Sequence, residues 1–150
     1  MILHFAVDVK DLYEQGKRYP WPKPADCPRC SCRRLWGHGF VERYFEDFSQ
    51  AVWIKRYRCP DCAAVHTCRP DRFFDRYRYP VIVVLTSLLE KIVRGKWLRW
   101  IRRQNQLYWY RSVTKWVSKQ RTISVLTVGH LKKYLSERLP RSGQYATLRL

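Results

Sequence analysis

Apolar and polar residues alternate with a period of two in residues 51–59, where valine, isoleucine, tryptophan and tyrosine supply most of the apolar positions. This pattern is typical of a β-strand with one face against a core. The apolar segment before it, residues 34–46, is interrupted by Gly37 and Gly39, as a β-bulge would interrupt a strand. Residues 64–68 predict a further short strand. The pattern therefore predicts a three-stranded antiparallel meander.

The apolar spacing becomes helical in the middle of the chain. Within residues 81–93, leucine and isoleucine recur at positions i, i+3, i+4 and i+7, which indicates a buried helix. Pro80 is well placed as its first residue and Gly95 as its C-cap. The β-branched residues at the start of this segment would also suit a strand, but the spacing favours the helix.

Further helices are predicted beyond this one. Residues 96–103 continue the helical pattern, residues 104–106 predict a turn, and residues 108–119 predict a helix with a basic and hydroxylated face. Helix, turn and basic helix in this order are typical of a helix-turn-helix. A C-terminal amphipathic helix is predicted up to Leu139, followed by a basic tail.

The first 26 residues are predicted to lead into these elements. Residues 8–14 predict one or two helical turns that end near Gly16. Residues 19–24 contain alternating prolines, which enforce an extended path. This segment is interpreted as a strap along the domain or, alternatively, as a docking arm with Trp21 as its anchor.

Four cysteines in two CxxC pairs carry the candidate chemistry: Cys27 with Cys30, and Cys59 with Cys62. Each pair can bind a metal from one tight turn, and four thiolates suit tetrahedral Zn²⁺. Disulfides, metal-free thiols and a CxxC thiol oxidoreductase are the alternatives, but paired knuckles in a β-rich segment without a secretory signal favour metal. The predicted fold class is α+β, with an extended N-terminal lead-in (1–26), a zinc ribbon (27–69), a helix-turn-helix-like helical region (70–121) and a C-terminal helix with a basic tail (122–150).

The roles of several other cysteines, histidines and aspartates remain open. Cys32 and Cys68 are interpreted as extra ligands in a two-metal cluster or as small buried residues, the commoner role of cysteine. His38 and His66 are interpreted as metal ligands, as packing residues or as phosphate contacts. Two aspartates are interpreted as caps or arginine partners rather than as paired catalytic acids: Asp71 and Asp75.

The net charge of +18, from 30 Lys and Arg against 12 Asp and Glu, points to a polyanionic partner. Residues 1–68 carry +3, residues 69–121 carry +11 and residues 122–150 carry +4. Nucleic acid is favoured over a membrane because no basic block flanks an apolar span or a lipidation site. The start of the chain lacks the basic region of a signal peptide, and the longest apolar run, residues 81–89, is too short to cross a bilayer. We therefore expect a cytoplasmic protein that does not associate with membranes.

Candidate nucleic-acid contacts lie on the predicted helices and on the predicted hairpin. Basic and hydroxylated residues expected to face a groove are Arg111, Ser112, Thr114, Lys115 and Lys119. Those expected to contact phosphates are Arg99, Arg102 and Arg103. On the hairpin, Arg56 and Arg58 alternate with Trp53 and Tyr57, a mixture that suits stacking on single-stranded nucleic acid or RNA. A solvated charged face is the alternative for the helical residues.

The motifs together resemble the N-terminal zinc ribbons of bacterial insertion-sequence transposases. The resemblance rests on Cys-Pro-Arg-Cys at 27–30, Arg-Leu-Trp-Gly-His-Gly at 34–39 and Arg-Tyr-Arg-Cys-Pro-Asp-Cys at 56–62. Cys32 departs from that pattern. The resemblance implies a helix-turn-helix after the ribbon and binding of transposon-end DNA. The residues after 121 are too few for the strand-transfer domain of those proteins, so we expect a DNA-binding region without a catalytic domain.

The sequence thus predicts a zinc-dependent nucleic-acid-binding protein and not an enzyme. Duplex DNA in a mobile-element or regulatory context is the leading hypothesis, with a protein partner carrying any catalytic activity. The alternative is an RNA-binding or scaffold subunit of a ribonucleoprotein or nucleoprotein complex. Both hypotheses predict salt-dependent binding, so competition among duplex DNA, single-stranded DNA and structured RNA is needed to separate them.

Overall fold

A computed structural model describes residues 1–119 and 125–138. The chain divides into two compact units, which are described one at a time. The first unit comprises Met1–Arg78, and the described residues from Tyr79 onward belong to the second. No helix in the described ranges combines the length and the apolar content needed to cross a membrane.

The first unit is built on a mixed four-stranded sheet. Its strands in chain order are β1 (Ile2–Phe5), β2 (Trp36–Arg43), β3 (Val52–Arg58) and β4 (Val65–Pro70). The spatial order is β1-β4-β3-β2, in which β2, β3 and β4 form an antiparallel meander and β1 lies parallel to β4. Between β1 and β2 the chain forms helix α1 (Val9–Gln15) and a 3₁₀ turn (Gly16–Arg18), and α1 packs against β3.

The three predicted strand segments are present, and the bulge lies where the sequence indicates it. The register of β2 against β3 shifts between Gly37 and Phe40. Gly39 has a φ of +72°, a left-handed conformation that favours glycine. The two glycines therefore interrupt the strand without ending it.

The predicted three-stranded antiparallel ribbon is wrong in strand number and in strand direction. The fourth strand, β1, comes from residues 1–26, which were predicted as an extended lead-in. The backbone N–H of Thr67 donates to the carbonyl oxygen of Met1 at 2.9 Å, and that of Asp71 donates to Phe5 at 2.9 Å. A four-residue strand is too short to show a clear alternation, and its partner lies more than sixty residues later in the chain. The local pattern could not reveal this pairing.

The lead-in also contributes a capped helix and part of the core. The side chain of Asp8 accepts a hydrogen bond from the backbone N–H of Lys10 at 2.7 Å, and Gly16 ends α1 with a φ of +57°, so the predicted helical turns are confirmed. Leu12 is fully buried. Trp21 is buried too and meets the ring of Phe5 edge to face. The proline segment therefore packs along its own unit, and Trp21 does not serve as an exposed anchor.

The described residues of the second unit form three helices: α2 (Val81–Arg94), α3 (Arg103–Ser118) and α4 (Val128–Arg138). The predicted helix at residues 81–93 is confirmed as α2, with Pro80 as its N-cap and Gly95 as its C-cap at a φ of +69°. Its buried side chains recur at helical spacing: Val81, Val84, Leu85 and Leu88. The predicted C-terminal helix corresponds to α4; Leu139 and the basic tail lie outside the described residues.

The prediction of a helix at residues 96–103 followed by a turn at 104–106 is wrong. Residues 95–102 form a loop, and α3 begins at Arg103, so the predicted turn is the first turn of that helix. The reason is Gln106, which is fully buried and hydrogen-bonds the loop backbone. Its Oε1 accepts from the N–H of Leu98 at 2.9 Å, and its Nε2 donates to the carbonyl oxygens of Leu98 and Ile101 at 2.9 and 2.8 Å. These bonds give the loop the backbone partners that helical bonds would otherwise supply.

Candidate metal centre

The β2–β3–β4 meander brings the two CxxC pairs together. Cys27 and Cys30 precede β2, and Cys59 and Cys62 follow β3. All four sulfur atoms lie within 4.8 Å of one another. The Cys27–Cys62 and Cys30–Cys59 sulfur distances are 3.6 and 3.5 Å. A tetrahedral thiolate centre with metal–sulfur bonds of about 2.3 Å has sulfur–sulfur edges of about 3.8 Å, whereas a disulfide has about 2.05 Å. The four cysteines are thus positioned to hold a metal ion.

The two knuckles share one backbone shape. The residue after the second cysteine of each pair has a left-handed backbone, with φ of +59° at Ser31 and +56° at Ala63. In both knuckles the backbone N–H of the first cysteine donates to the carbonyl oxygen five residues later: Cys27 to Cys32 at 2.8 Å, and Cys59 to Ala64 at 2.9 Å. A left-handed residue outside glycine costs about 1–3 kcal/mol. That both knuckles carry this strain indicates that the sharp reversal is needed to present two sulfurs on the same side.

The electrostatics of the cluster favour a bound cation. The backbone N–H of Cys62 is the largest influence on Cys59 and helps lower the pKa of its thiol to about 6. At Cys30 the backbone N–H of Cys32 lowers the pKa, but desolvation and hydrogen bonds with the other thiols outweigh it and raise the pKa to about 12. Neighbouring thiols therefore share protons, since four adjacent negative charges repel one another. A divalent ion would stabilise all four thiolates together.

His66 lies directly behind this cluster. It is fully buried on β4, and its Nε2 is 3.2 Å from the sulfur of Cys27. Burial lowers the pKa of the imidazole, which keeps it neutral near pH 7. The ring is thus a hydrogen-bonding neighbour of a ligand sulfur, and a fully buried ring cannot contact phosphate. The period of two in β4, which places His66 and Cys68 on the same inward face, is the sequence signal for this position.

The other predicted cysteine and histidine candidates lie outside the four-sulfur cluster. The sulfur of Cys32 accepts from the backbone N–H of Arg34 at 3.2 Å. Arg34 also forms an ion pair with Asp61 at 2.7 Å, so it links the chain after the first knuckle to the second knuckle. Cys68 is fully buried, and burial raises the pKa of its thiol to about 12, as expected of an unreactive core cysteine. His38 is half-buried on β2.

The structure separates the predicted helical nucleic-acid contacts into exposed and inward residues. The basic ones are all exposed: Arg99, Arg102, Arg103, Arg111, Lys115 and Lys119. Ser112 and Thr114 are only half-buried and face other groups. The hydroxyl of Ser112 lies 3.2 Å from that of Tyr134 on α4, and the hydroxyl of Thr114 donates to the carbonyl oxygen of Tyr110 at 3.1 Å. These two hydroxyls already have partners within the unit, which argues against the predicted groove contacts.

The predicted stacking surface on the hairpin is also altered. Tyr57 is buried, and the ring of Trp53 is covered by Lys17, whose Nζ lies 4.0 Å from the ring centroid. Arg56 is half-buried and Arg58 is exposed. Exposed rings occur instead at positions that sequence reasoning did not assign to the site: Trp36, Tyr44, Trp100 and Tyr108. Of these, Trp36 pairs with Arg58 across β2 and β3.

Comparison with known families places the chain. A family model described as a domain of unknown function, DUF6431, matches residues 27–105, more than half of the chain, so the chain belongs to the DUF6431 family. Neither the curated proteins nor the solved structures include a match. The matched segment contains both cysteine knuckles and all of α2, and it ends within the first turn of α3.

Proposed function

We propose that this member of the DUF6431 family is a zinc-dependent nucleic-acid-binding protein that uses α3 and the preceding loop to bind duplex DNA. The observation that carries the proposal is a cationic stripe formed by Arg111 and Lys115 on α3 and by Lys119, the C-cap residue that follows the helix. All three residues are exposed and follow one another at intervals of four. The resemblance of the knuckles to transposase ribbons supports a mobile-element or regulatory context, with any catalysis supplied by a protein partner.

The stripe lies opposite the face that anchors α3. The buried residues Trp109, Val113 and Val117 also recur at intervals of four, and each precedes a stripe residue by two positions. Two residues correspond to about 200° around an α-helix, so the two sets lie on opposite sides. The 16 residues of α3 span about 24 Å at 1.5 Å per residue. A helix of this length with one cationic side can lie in a DNA major groove, which is about 12 Å wide.

Acidic residues do not neutralise the stripe. In residues 79–119 and 125–138 there are twelve Lys and Arg but only two acidic residues. Glu90 forms an ion pair with Arg94 at 3.0 Å, and Glu137 accepts from the indole N–H of Trp116 at 2.9 Å. Both carboxylates thus have partners outside the stripe, and no ion pair is recorded between the stripe and any described residue. An uncompensated positive surface of this kind attracts a phosphate backbone.

Zinc is the metal that best fits the proposed role of the knuckles. Four cysteine sulfurs in a closed tetrahedral arrangement are typical of structural zinc, and such a site leaves no open position for substrate. The metal would therefore stabilise the first unit instead of performing chemistry. Metal analysis of the purified protein tests this directly, with one equivalent of zinc expected per chain.

Binding to duplex DNA tests the role of α3. The double variant Arg111→Gln/Lys115→Gln should weaken duplex binding at least tenfold and reduce the slope of log K against log salt by about 2, since each lost phosphate contact changes it by about 0.9. The matched control, Lys10→Gln/Lys23→Gln, removes two exposed charges from the first unit. If both double variants weaken binding equally, the affinity reflects net charge alone and the proposed surface is wrong.

A second candidate is binding of single-stranded nucleic acid or RNA. It is favoured by the exposed Trp100, which follows the exposed Arg99 in the loop before α3. Stacking of a base on such a ring contributes about 1–3 kcal/mol. Trp100→Ala should then weaken single-stranded binding at least fivefold while duplex binding changes little. The reverse pattern, with Lys115→Ala affecting duplex binding selectively, supports the duplex proposal.

A further inference from the structure

The first unit contains an open cavity of about 380 Å³ with four arginines among its lining residues. It lies where the end of β2, the end of β4 and the segment after β4 meet. Its lining comprises the aliphatic side chain of Ile2, two tyrosines and four arginines. The tyrosines and arginines are Tyr44, Tyr77, Arg43, Arg69, Arg76 and Arg78. Among the described residues, none that lines the cavity carries a carboxylate. The like charges of these arginines repel each other, and a bound anion would reduce that repulsion.

Arg69 is the deepest of these side chains. It is 7% exposed, and its guanidinium lies 5.4 Å from the centroid of the Phe45 ring. One terminal nitrogen donates to the carbonyl oxygen of Tyr77 at 2.6 Å, but its Nε is buried and has no hydrogen-bond partner. Burial lowers the pKa of Arg69 to about 10; the negative charge of Asp75 opposes this lowering, and the positive charge of Arg43 adds to it to a lesser extent. The group therefore stays cationic at neutral pH. A mostly buried guanidinium in the lining is costly unless its charge is compensated, and an anion in the cavity would compensate it.

Arg76 is held in a conformation that its own side chain does not favour. Its φ is +68°, in the left-handed region. Asp75, the preceding residue, does not line the cavity; its carboxylate lies 3.1 Å from the Nε2 of His4. Arg76 thus lines the cavity while the Asp75 carboxylate pairs with His4 on β1, although Asp75 remains near enough to Arg69 and Arg76 for their positive charges to help lower its pKa. Strain of this kind persists where it serves a site.

We propose that this cavity binds a phosphate monoester, carried either by a free nucleoside monophosphate or by the phosphorylated end of a nucleic-acid strand. Arginine forks match the oxygens of a phosphate in pairs, and the four lining cations exceed what a single carboxylate could neutralise. The volume lies within the range of about 300–1,000 Å³ usual for small-molecule sites. Tyr44 and Tyr77 also line the cavity, and the ring of Tyr44 lies 5.4 Å from the guanidinium of Arg78.

This site is independent of the surface proposed for duplex DNA. All its lining residues belong to the first unit, whereas α3 belongs to the second. Loss of one binding activity therefore need not affect the other, and separate variants can be used to test them.

Calorimetric titration with adenosine monophosphate, with adenosine as the unphosphorylated control, tests the proposal. We expect binding of the monophosphate and at least a tenfold weaker response to adenosine. Arg76→Gly should weaken binding of the monophosphate at least tenfold. The melting temperature of the variant should be unchanged or higher, because glycine relieves the strained φ. Arg33→Gln, which removes one exposed charge away from the cavity, is the matched control. Equal binding of adenosine and its monophosphate, or equal losses in Arg76→Gly and Arg33→Gln, would overturn the proposal.

A competition experiment identifies the source of the phosphate. A short strand with a 5′-phosphate is compared with a 5′-hydroxyl strand lengthened to the same net charge, each displacing the monophosphate. Displacement at least tenfold better by the phosphorylated strand than by free monophosphate assigns the site to a strand end, and similar displacement assigns it to a free nucleotide. Equal displacement by the phosphorylated and the hydroxyl strands contradicts a phosphate-monoester site.

Discussion

Replacement of Gln106 by leucine should destabilise the second unit strongly, although glutamine and leucine are similar in size. The side-chain amide of Gln106 makes four hydrogen bonds. Three join it to the loop backbone, and in the fourth its Oε1 accepts from the hydroxyl of Ser87 at 2.8 Å. Both side chains are fully buried. Leucine would leave the Ser87 hydroxyl and three loop backbone groups without this partner.

The magnitude follows from these four bonds. A hydrogen bond contributes about 1 kcal/mol net, and a buried group left without a partner costs about 1–3 kcal/mol. Extra apolar burial by leucine offsets about 1 kcal/mol of the loss. We therefore expect a loss of about 3 kcal/mol, which for a unit of this size lowers the melting temperature by roughly 12–24 °C. Ser87→Ala removes only one of the bonds and should cost about 1 kcal/mol.

Urea unfolding and amide hydrogen exchange of Leu98 provide the assay. In Gln106→Leu the midpoint should fall and the Leu98 amide should lose protection, whereas the zinc stoichiometry of the first unit should not change. Gln104→Leu is the control, because Gln104 is exposed in the same helical turn. If Gln106→Leu and Gln104→Leu unfold at the same midpoint, the buried amide does not organise the loop and the reasoning fails.

Three further predictions concern the metal centre and two backbone positions. Cys59→Ser should abolish stoichiometric zinc binding and lower the melting temperature of the first unit, measured by metal analysis and calorimetry; retention of both contradicts the four-cysteine site. Because the pKa of the Cys59 thiol is about 6 without metal, the thiolate predominates above that pH and the neutral thiol below it. Metal retention should therefore fall from pH 7 to pH 5 in a chelator-competition assay, and a flat profile contradicts this. In chemical denaturation, Gly95→Ala should lower the free energy of unfolding by about 1 kcal/mol and Ala63→Gly should raise it by up to that amount, because both positions have positive φ. Changes of the opposite sign would refute the backbone argument.

Local patterns in the sequence predicted the elements whose determinants lie close together in the chain. The helical spacing, Pro80 and Gly95 delimit α2, and the glycine pair marks the bulge in β2. The spacing of the cysteines predicted, without any knowledge of the fold, the four residues that the structure positions to hold a metal ion. In each case the physical cause is contained in a few neighbouring residues.

What the sequence could not predict depends on contacts between distant residues. The pairing of β1 with β4 joins residues far apart in the chain, and a four-residue strand carries little periodicity. The loop before α3 has helical composition, but Gln106 provides its backbone with competing partners. The amide that makes these bonds is indistinguishable in sequence from the exposed Gln104. Likewise, the arginine cavity gathers residues from β2, β4 and the segment after β4, which only the folded chain brings together.

The four-stranded sheet has a consequence for how this protein can be divided experimentally. A fragment limited to the family-matched residues 27–105 would lack β1, so the backbone of β4 would become an open edge able to pair with other chains. It would also lose Leu12 from the core and end one residue before Gln106. The segment shared within the family is therefore smaller than the segment that folds, and expression of the matched region alone should yield aggregation-prone material where the longer chain does not.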